Sequence, residues 1–294
     1  MQVLYPNWQE YELLDSGNGR RLEKFGKYIL SRPDPQAIWK PHLDIEWGHA
    51  NGVFETSNLK LEKGRWVNNV TIPEKWQINY NDLRLWLKLT PFKHTGIFPE
   101  QAEQWKWLEE RIKSEKVRFR NINKQINVLN LFGYTGVASL VCTKAGARVT
   151  HVDASRPAIG WARENQLASG IDEKAIRWII DDVMKFVNRE VRRGVHYDGI
   201  IMDPPIYGHG PNGEVWDIYD NLPKLLNLCM KLLSSTPIFI LVNAYAISAS
   251  ALMLKNLLSD YNLSGNIDYG ELALKEKNSD RMLSTGIFAR WSNV

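Results

Sequence analysis

The 294-residue chain has little cysteine: Cys142 and Cys229 are its only two. Both fall in segments with the apolar spacing of amphipathic helices, which excludes a disulfide framework and points to buried thiols in a reducing compartment; the cytoplasm is the expected location. No stretch approaches eighteen uninterrupted apolar residues, and Met1 to Trp8 holds no basic segment leading into an apolar run. Neither membrane spanning nor export is therefore expected. The longest apolar stretch, Pro237 to Ala246, has the length of a buried strand. His, Cys and Glu nowhere cluster at metal-ligand spacing, and Gly-x-x-x-x-Gly-Lys-Ser/Thr is missing, so neither a metal nor nucleoside triphosphate chemistry is expected. Internal repeats and low-complexity tracts are absent too. A large excess of one charge is also lacking: 37 Lys and Arg against 33 Asp and Glu give +4, which suits an anionic partner such as nucleic acid without demanding one.

What is present is ordinary globular composition at a length that suits a catalytic domain of about 200 residues with a smaller module attached. Up to Phe92, short runs rich in Val, Ile, Tyr and Trp alternate with turn signals such as Ser16-Gly17-Asn18-Gly19 and Arg32-Pro33-Asp34-Pro35. This predicts a small β-rich domain over residues 1–92, with strands at Tyr11–Leu14, Lys27–Ser31, Gly52–Glu55, Trp66–Val70 and Leu83–Leu89. Its tryptophans, Trp8, Trp39, Trp47, Trp66, Trp76 and Trp86, either fill its core or stack on single-stranded RNA beside Arg20, Arg21, Lys24 and Arg32.

Residues 93–294 read differently. Pro99 opens a helix through Ile112, and a basic stretch, Lys113 to Lys124, follows. Apolar runs then alternate with helical periods: strands at Ile126–Phe132, Arg148–Val152, Ile176–Ile180, Gly199–Asp203 and Ile238–Asn243. Helices run to Ala145, over Pro157–Ser169, to Arg193, over Leu222–Leu233 and over Ala249–Ser259. Five such units predict an α/β fold with a mostly parallel, Rossmann-like sheet. A final pair, Ile267–Leu274 and Gly286–Trp291, lacks room for a crossover helix and should form a hairpin that makes the last strand antiparallel.

Ligands of such sheets sit beyond the carboxyl ends of the strands, near the first βα turn. Here that turn is Phe132-Gly133-Tyr134-Thr135-Gly136. Two glycines alone equally describe a plain turn at a helix start. Asp153, twenty residues after Gly133, ends the second strand where a carboxylate can accept both ribose hydroxyls of a nucleoside cofactor. The third strand ends in Asp181-Asp182; Asp182 is chosen as acceptor for an adenine amino group, with Asp181 as a solvated helix cap. The fourth ends in Asp203-Pro204-Pro205, where two prolines remove donors and stiffen the chain, giving either a simple rigid turn or, the preferred reading, a carbonyl-lined wall able to hold an amino group.

Together, Leu129 to Gly136, Val152-Asp153-Ala154-Ser155, Asp181-Asp182-Val183 and Asp203-Pro204-Pro205 resemble class I S-adenosylmethionine-dependent methyltransferases related to bacterial 23S ribosomal RNA methyltransferases. The resemblance covers about Phe92 to Val294. It implies S-adenosylmethionine as cofactor, with Gly133 and Gly136 at its amino-acid end, Asp153 at its ribose, Asp182 at its adenine, and Tyr134, Thr135 and Ala154 beside them. It also implies that Phe92 to Gln101 leads into the catalytic domain over the cofactor, with Gln101 either contacting it or capping a helix. Asp203, Pro204 and Pro205 would form the transfer corner, and Tyr207, Asn243 and Tyr245 would border the substrate, Tyr245 being equally readable as core packing. Relatives commonly continue Asp-Pro-Pro with Lys-Phe, whereas this chain has Ile206-Tyr207. Relatives that methylate cytosine C5 need a cysteine after the fourth or fifth strand, and none stands there, so direct transfer to a nitrogen of ribosomal RNA is expected.

Two other classes are weighed. A nicotinamide-dependent oxidoreductase needs Gly-x-Gly-x-x-Gly, but position 131 is Leu. An RNA-associated scaffold that keeps the fold is motivated by the missing lysine, and protein or small-molecule acceptors remain open. No feature specifies an oligomeric state.

Overall fold

The computed structural model describes residues 1–43, 46–57, 63–118, 124–210 and 213–293. Part of the basic stretch 113–124 lies outside them. The chain separates into two compact units: Met1–Leu4, Gln104–Leu272 and Thr285–Val294 form one, and Tyr5–Glu103 and Ala273–Ser284 form the other. Both units are discontinuous in sequence. No helix among the described residues is long and apolar enough to cross a membrane.

After β1 (Gln2–Leu4), which joins the larger sheet, the second unit builds a five-stranded sheet in the order β2-β3-β4-β5-β6. Its strands are β2 (Tyr11–Gly17), β3 (Arg20–Phe25), β4 (Tyr28–Pro33), β5 (Gly52–Glu55) and β6 (Arg65–Asn68). A separate hairpin pairs β7 (Lys75–Tyr80) with β8 (Leu83–Lys88). In β7 the alternation is plain, since Trp76, Ile78 and Tyr80 are buried and Lys75, Gln77 and Asn79 exposed. The sequence reading missed β3 because Arg20-Arg21-Leu22-Glu23-Lys24 reads as a solvated run. Arg21 and Arg32 are in fact 2% and 1% exposed. Arg32 donates to both oxygens of the buried Glu23 carboxylate, at 2.7 and 2.9 Å, and Tyr11 donates to the same group at 2.8 Å. Buried charge is tolerated here because it is paired and hydrogen-bonded.

This corrects the stacking surface imagined for the module. Arg21 and Arg32 are interior, Arg20 is held by Ser31 and the Phe54 carbonyl, and Lys24 pairs with Glu12. The indole N–H groups of Trp8, Trp39, Trp47, Trp66 and Trp76 all donate to acceptors within the unit. Trp76 is buried and Trp8, Trp39, Trp47, Trp66 and Trp86 are half-buried. Asp15, His42 and Glu276 approach each other, with ligand-type atoms within 4.8 Å, but the cluster is already satisfied. Asp15 accepts from the backbone of Ser16, His42 and Leu43 and from Trp47, while Arg281 lies 2.7 Å from His42 Nε2.

A 3-10 turn at Pro99–Gln101, still within the second unit, precedes α1 (Ala102–Arg118), most of which belongs to the first unit. Then follow β9 (Asn127–Leu131), α2 (Val137–Lys144), β10 (Arg148–Asp153), α3 (Arg156–Ala168), β11 (Ile176–Ile180), α4 (Val183–Arg192) and β12 (Gly199–Met202). A short hairpin, β13 (Tyr207–His209) and β14 (Val215–Asp217), precedes α5 (Ile218–Lys231), β15 (Phe239–Tyr245), α6 (Ala251–Ser259), β16 (Asn266–Lys275) and β17 (Met282–Ser292). The hairpin was not foreseen, and α5 starts a turn before the expected Leu222. Asp217 caps it, accepting from the Tyr219 and Asp220 amides, and Pro223 lies inside the helix where the sequence suggested its start.

The eight-stranded sheet runs β1-β16-β17-β15-β12-β9-β10-β11. β9 to β12 and β15 are mutually parallel, and β17 runs antiparallel to β15, as the hairpin argument predicts. Leu129, Leu131, Ile200, Met202, Ile240 and Val242 pack from the strands against Phe186, Leu222, Leu225 and Leu226 from the helices. Strand order reverses between β9 and β12, so a crevice opens beyond their carboxyl ends.

Candidate active site

Register fixes what the strand ends bring together. Leu131 pairs with Val152 and Met202, Met202 with Val242, and Asp153 with Ile180. The residues that follow, the 132–136 turn, Asp153, Asp181-Asp182, Asp203-Pro204-Pro205 and Asn243, therefore stand along one edge of the sheet.

The turn after β9 is tighter than two glycines suggest. Phe132 and Tyr134 adopt φ of 57° and 51°, and Gly136 85°. Left-handed φ is costly for an aromatic residue and persists only where its surroundings fix it. Gly136 precedes α2, and a Cβ there would meet Ala162 Cβ at 2.9 Å and Trp178 at 3.1 Å. A Cβ at Gly133 would lie 2.3 Å from Cε1 of His151. Thr135 is buried, and its carbonyl accepts from Asn165 of α3 at 3.0 Å.

His151, which sequence reasoning passed over, supports this turn from below. It is fully buried, stacks at a tilt on Trp178 with centroids 4.6 Å apart, and its Nδ1 lies 2.9 Å from Ser139 Oγ. Ser139 in turn accepts from Asn130 at 2.9 Å, which ties the ring to β9 through a buried polar chain. Burial, opposed by the Tyr134 backbone, lowers the His151 pKa to about 3, so the ring is neutral.

Asp153 joins the turn to the second strand. Its Oδ2 accepts from the Tyr134 amide and its Oδ1 from the Ser155 amide, each at 2.8 Å. Burial raises its pKa while these two bonds oppose the rise. Each oxygen retains a lone pair for a ligand hydroxyl. Ala154 is half-buried beside it.

The two acids after β11 exchange roles relative to the helix. Asp182, not Asp181, caps α4, its Oδ1 accepting from Lys185 N at 2.9 Å. Asp181 accepts from the Asp182 amide and pairs with Arg189. The cap falls on the residue one position before the first helical turn, which the sequence did not locate. Asp182 Oδ2 faces Gly210, where a Cβ would lie 3.1 Å away.

At the transfer corner two carbonyls carry internal hydrogen bonds. Pro205 O accepts from Trp216 Nε1 at 2.7 Å and Ile206 O from the Ile218 amide at 2.9 Å. Tyr207 is 57% exposed on β13, its ring edge-on to His209. Asn243 is buried, near Gln104 Nε2 at 3.5 Å, and Gln104 Oε1 accepts from Arg290, so its side chain belongs to an internal polar chain. Tyr245 is half-buried at the end of β15. Gln101 falls in the other unit. Cys142 and Cys229 are buried, and burial raises both thiols, so neither is a nucleophile.

A glycine-bearing turn at a helix start, followed by carboxylates at the next two strand ends, defines an α/β enzyme built for a nucleoside-bearing cofactor. Comparison with known proteins agrees. A model of the S-adenosylmethionine-dependent methyltransferase family matches residues 61–257. Ribosomal RNA large subunit methyltransferase K of Neisseria meningitidis is 25% identical over 236 residues, 77% of this chain and 63% of that protein. Ribosomal RNA large subunit methyltransferase K/L of Shewanella baltica is 34% identical over 152 residues, 51% of this chain and 20% of that protein. The chain thus spans less than two thirds of the first relative and a fifth of the second. A crystal structure of a SAM-dependent methyltransferase from Agrobacterium tumefaciens is 40% identical, with a TM-score of 0.92 over 100% of this chain and 94% of that one. The chain belongs to the S-adenosylmethionine-dependent methyltransferase family, and the tight glycine turn with the Asp153 carboxylate beside it fits that cofactor.

Proposed function

We propose that this chain methylates a nitrogen of ribosomal RNA by direct displacement, with residues 93–294 carrying the chemistry. The observation that carries the reading is the adjacency of β9 and β12, which sets the Gly133–Gly136 turn beside Asp203-Pro204-Pro205. The names of the Neisseria and Shewanella relatives support ribosomal RNA as acceptor. Burial of both cysteines supports transfer without a covalent enzyme intermediate.

S-adenosylmethionine, when bound, supplies a methyl group activated by its sulfonium. Gly133 and Gly136 admit its amino-acid end close to the backbone, with Tyr134 and Thr135 between them, and the amides at the start of α2 face its carboxylate. Asp153, beside Ala154, accepts the ribose hydroxyls, and Asp182 accepts from the adenine amino group. The Asp203 carboxylate and the Asp203 and Pro204 carbonyls hold the acceptor's N–H and point its lone pair in line. Asp203 then takes the proton that the methylated nitrogen releases. Pro205 keeps the corner rigid, and Tyr207 and Tyr245 stack on the base beside Asn243.

The test is tritiated methyl transfer into ribosomal RNA, protein and small-molecule fractions, alongside calorimetry with S-adenosylhomocysteine. Label in RNA at a base nitrogen is the expected result. Label confined to protein or small molecules would refute the acceptor, binding without transfer would favour a scaffold, and failure to bind would refute the cofactor site.

A further inference from the structure

The hairpin that follows the transfer corner carries one side chain touching both loops of the site. Trp216 lies opposite Gly208 in the β13–β14 register, so no side chain competes for the hairpin's inner face. It is 6% exposed. Its indole ring meets Phe132 edge-on, with centroids 4.8 Å apart at 62°, and its N–H donates to the Pro205 carbonyl at 2.7 Å. Phe132 opens the cofactor turn in left-handed geometry, and Pro205 closes the transfer corner. Two prolines cannot donate, so this corner is held by its carbonyls, with Trp216 and the Ile218 amide as donors.

We propose that Trp216 is a positioning residue that fixes the distance between cofactor and acceptor. It does so by clamping the loop after β9 to the loop after β12. The proposal rests on the assignment of those two loops made above. Its leverage is geometric: a misplacement of ~1 Å between reacting groups can cost ~100-fold in rate.

Trp216→Phe keeps a six-membered ring against Phe132 and removes the pyrrole ring with its N–H. In the wild type, S-adenosylhomocysteine should slow amide hydrogen exchange both in residues 132–136 and in residues 206–210. In Trp216→Phe the ligand should bind within about three-fold of wild type and still protect 132–136. Exchange at 206–210 should become about ten-fold faster and cease to respond to the ligand, as expected for one lost hydrogen bond to a local element. With RNA as acceptor, kcat should fall at least ~10-fold at unchanged KM for the cofactor. Trp216→Ala, which loses both contacts, should also weaken ligand binding; if it does not fold, the phenylalanine variant still decides. Ligand protection at 206–210 that persists in Trp216→Phe, or that is missing in a wild type that binds the ligand, overturns the clamp alone. A wild type that does not bind overturns the cofactor assignment and the clamp together.

Discussion

His151 makes the cofactor turn acid-sensitive in a defined window. In the unfolded chain this imidazole takes a proton below about pH 6.5, whereas the buried ring beneath Gly133 refuses it until about pH 3. Between those values the unfolded state binds more protons, so stability present above pH 6.5 is lost as pH falls. The slope approaches ~1.4 kcal/mol per pH unit for one proton, on the order of 2 kcal/mol between pH 6.5 and 4.5. That is a large part of the ~5–15 kcal/mol that holds a typical domain together. Urea denaturation at pH 7.5 and 4.5 should show this loss in the wild type and lack it in His151→Asn, which stays neutral. Imidazole nitrogen shifts in labelled protein give an independent reading, with His151 expected to remain neutral down to pH 4.5. A His151 signal titrating near 6.5, or equal acid slopes in wild type and variant, would refute the reasoning.

Gly133→Ala should destabilise by about 1–3 kcal/mol, because its Cβ would press on an immobile ring, and His151→Ala in the same chain should recover part of the loss; thermal melts of the three variants decide it. Asp153→Ala removes the acceptor of two amides and two proposed ribose bonds, so S-adenosylhomocysteine affinity should fall at least ~100-fold in calorimetry, and unchanged affinity would remove the ribose assignment. Replacing Cys142 and Cys229 by alanine together should leave methyl transfer intact per folded molecule; a loss of activity without loss of ligand binding would revive a thiol mechanism.

The catalytic sheet was largely legible because a fully buried parallel strand must read as an apolar run: Ile176–Ile180 emerges with the predicted bounds, and Gly199–Met202 differs by one residue. The sites that escaped are those where polarity and burial part company. β3 hides behind Arg21 and Glu23, whose charges cancel in the interior. His151 sits in an apolar strand where a lone histidine carries no pattern, although its position opposite the glycine turn is a consequence of register. Trp216 lay in a stretch rich in Gly and Pro that resembled a loop, and only the backbone pairing gives it an inner face. Asn243 was placed at the right strand end, but whether a side chain there faces crevice or core depends on which helix residue, here Gln104, packs against it.

The interleaving of the two units has a consequence for the order of synthesis. β1 adds to the sheet beside β16, Gln2 opposite Gly270, and Leu13 forms a bridge with Glu276. Residues 2–4 and Leu13 must wait for a segment more than 250 residues later, about 266–276, before either unit can close. Folding should therefore run late and slowly, governed by contacts of long sequence separation. A nascent chain halted before residue 266 would hold both ends of its N-terminal segment unpaired, a natural landing place for chaperones.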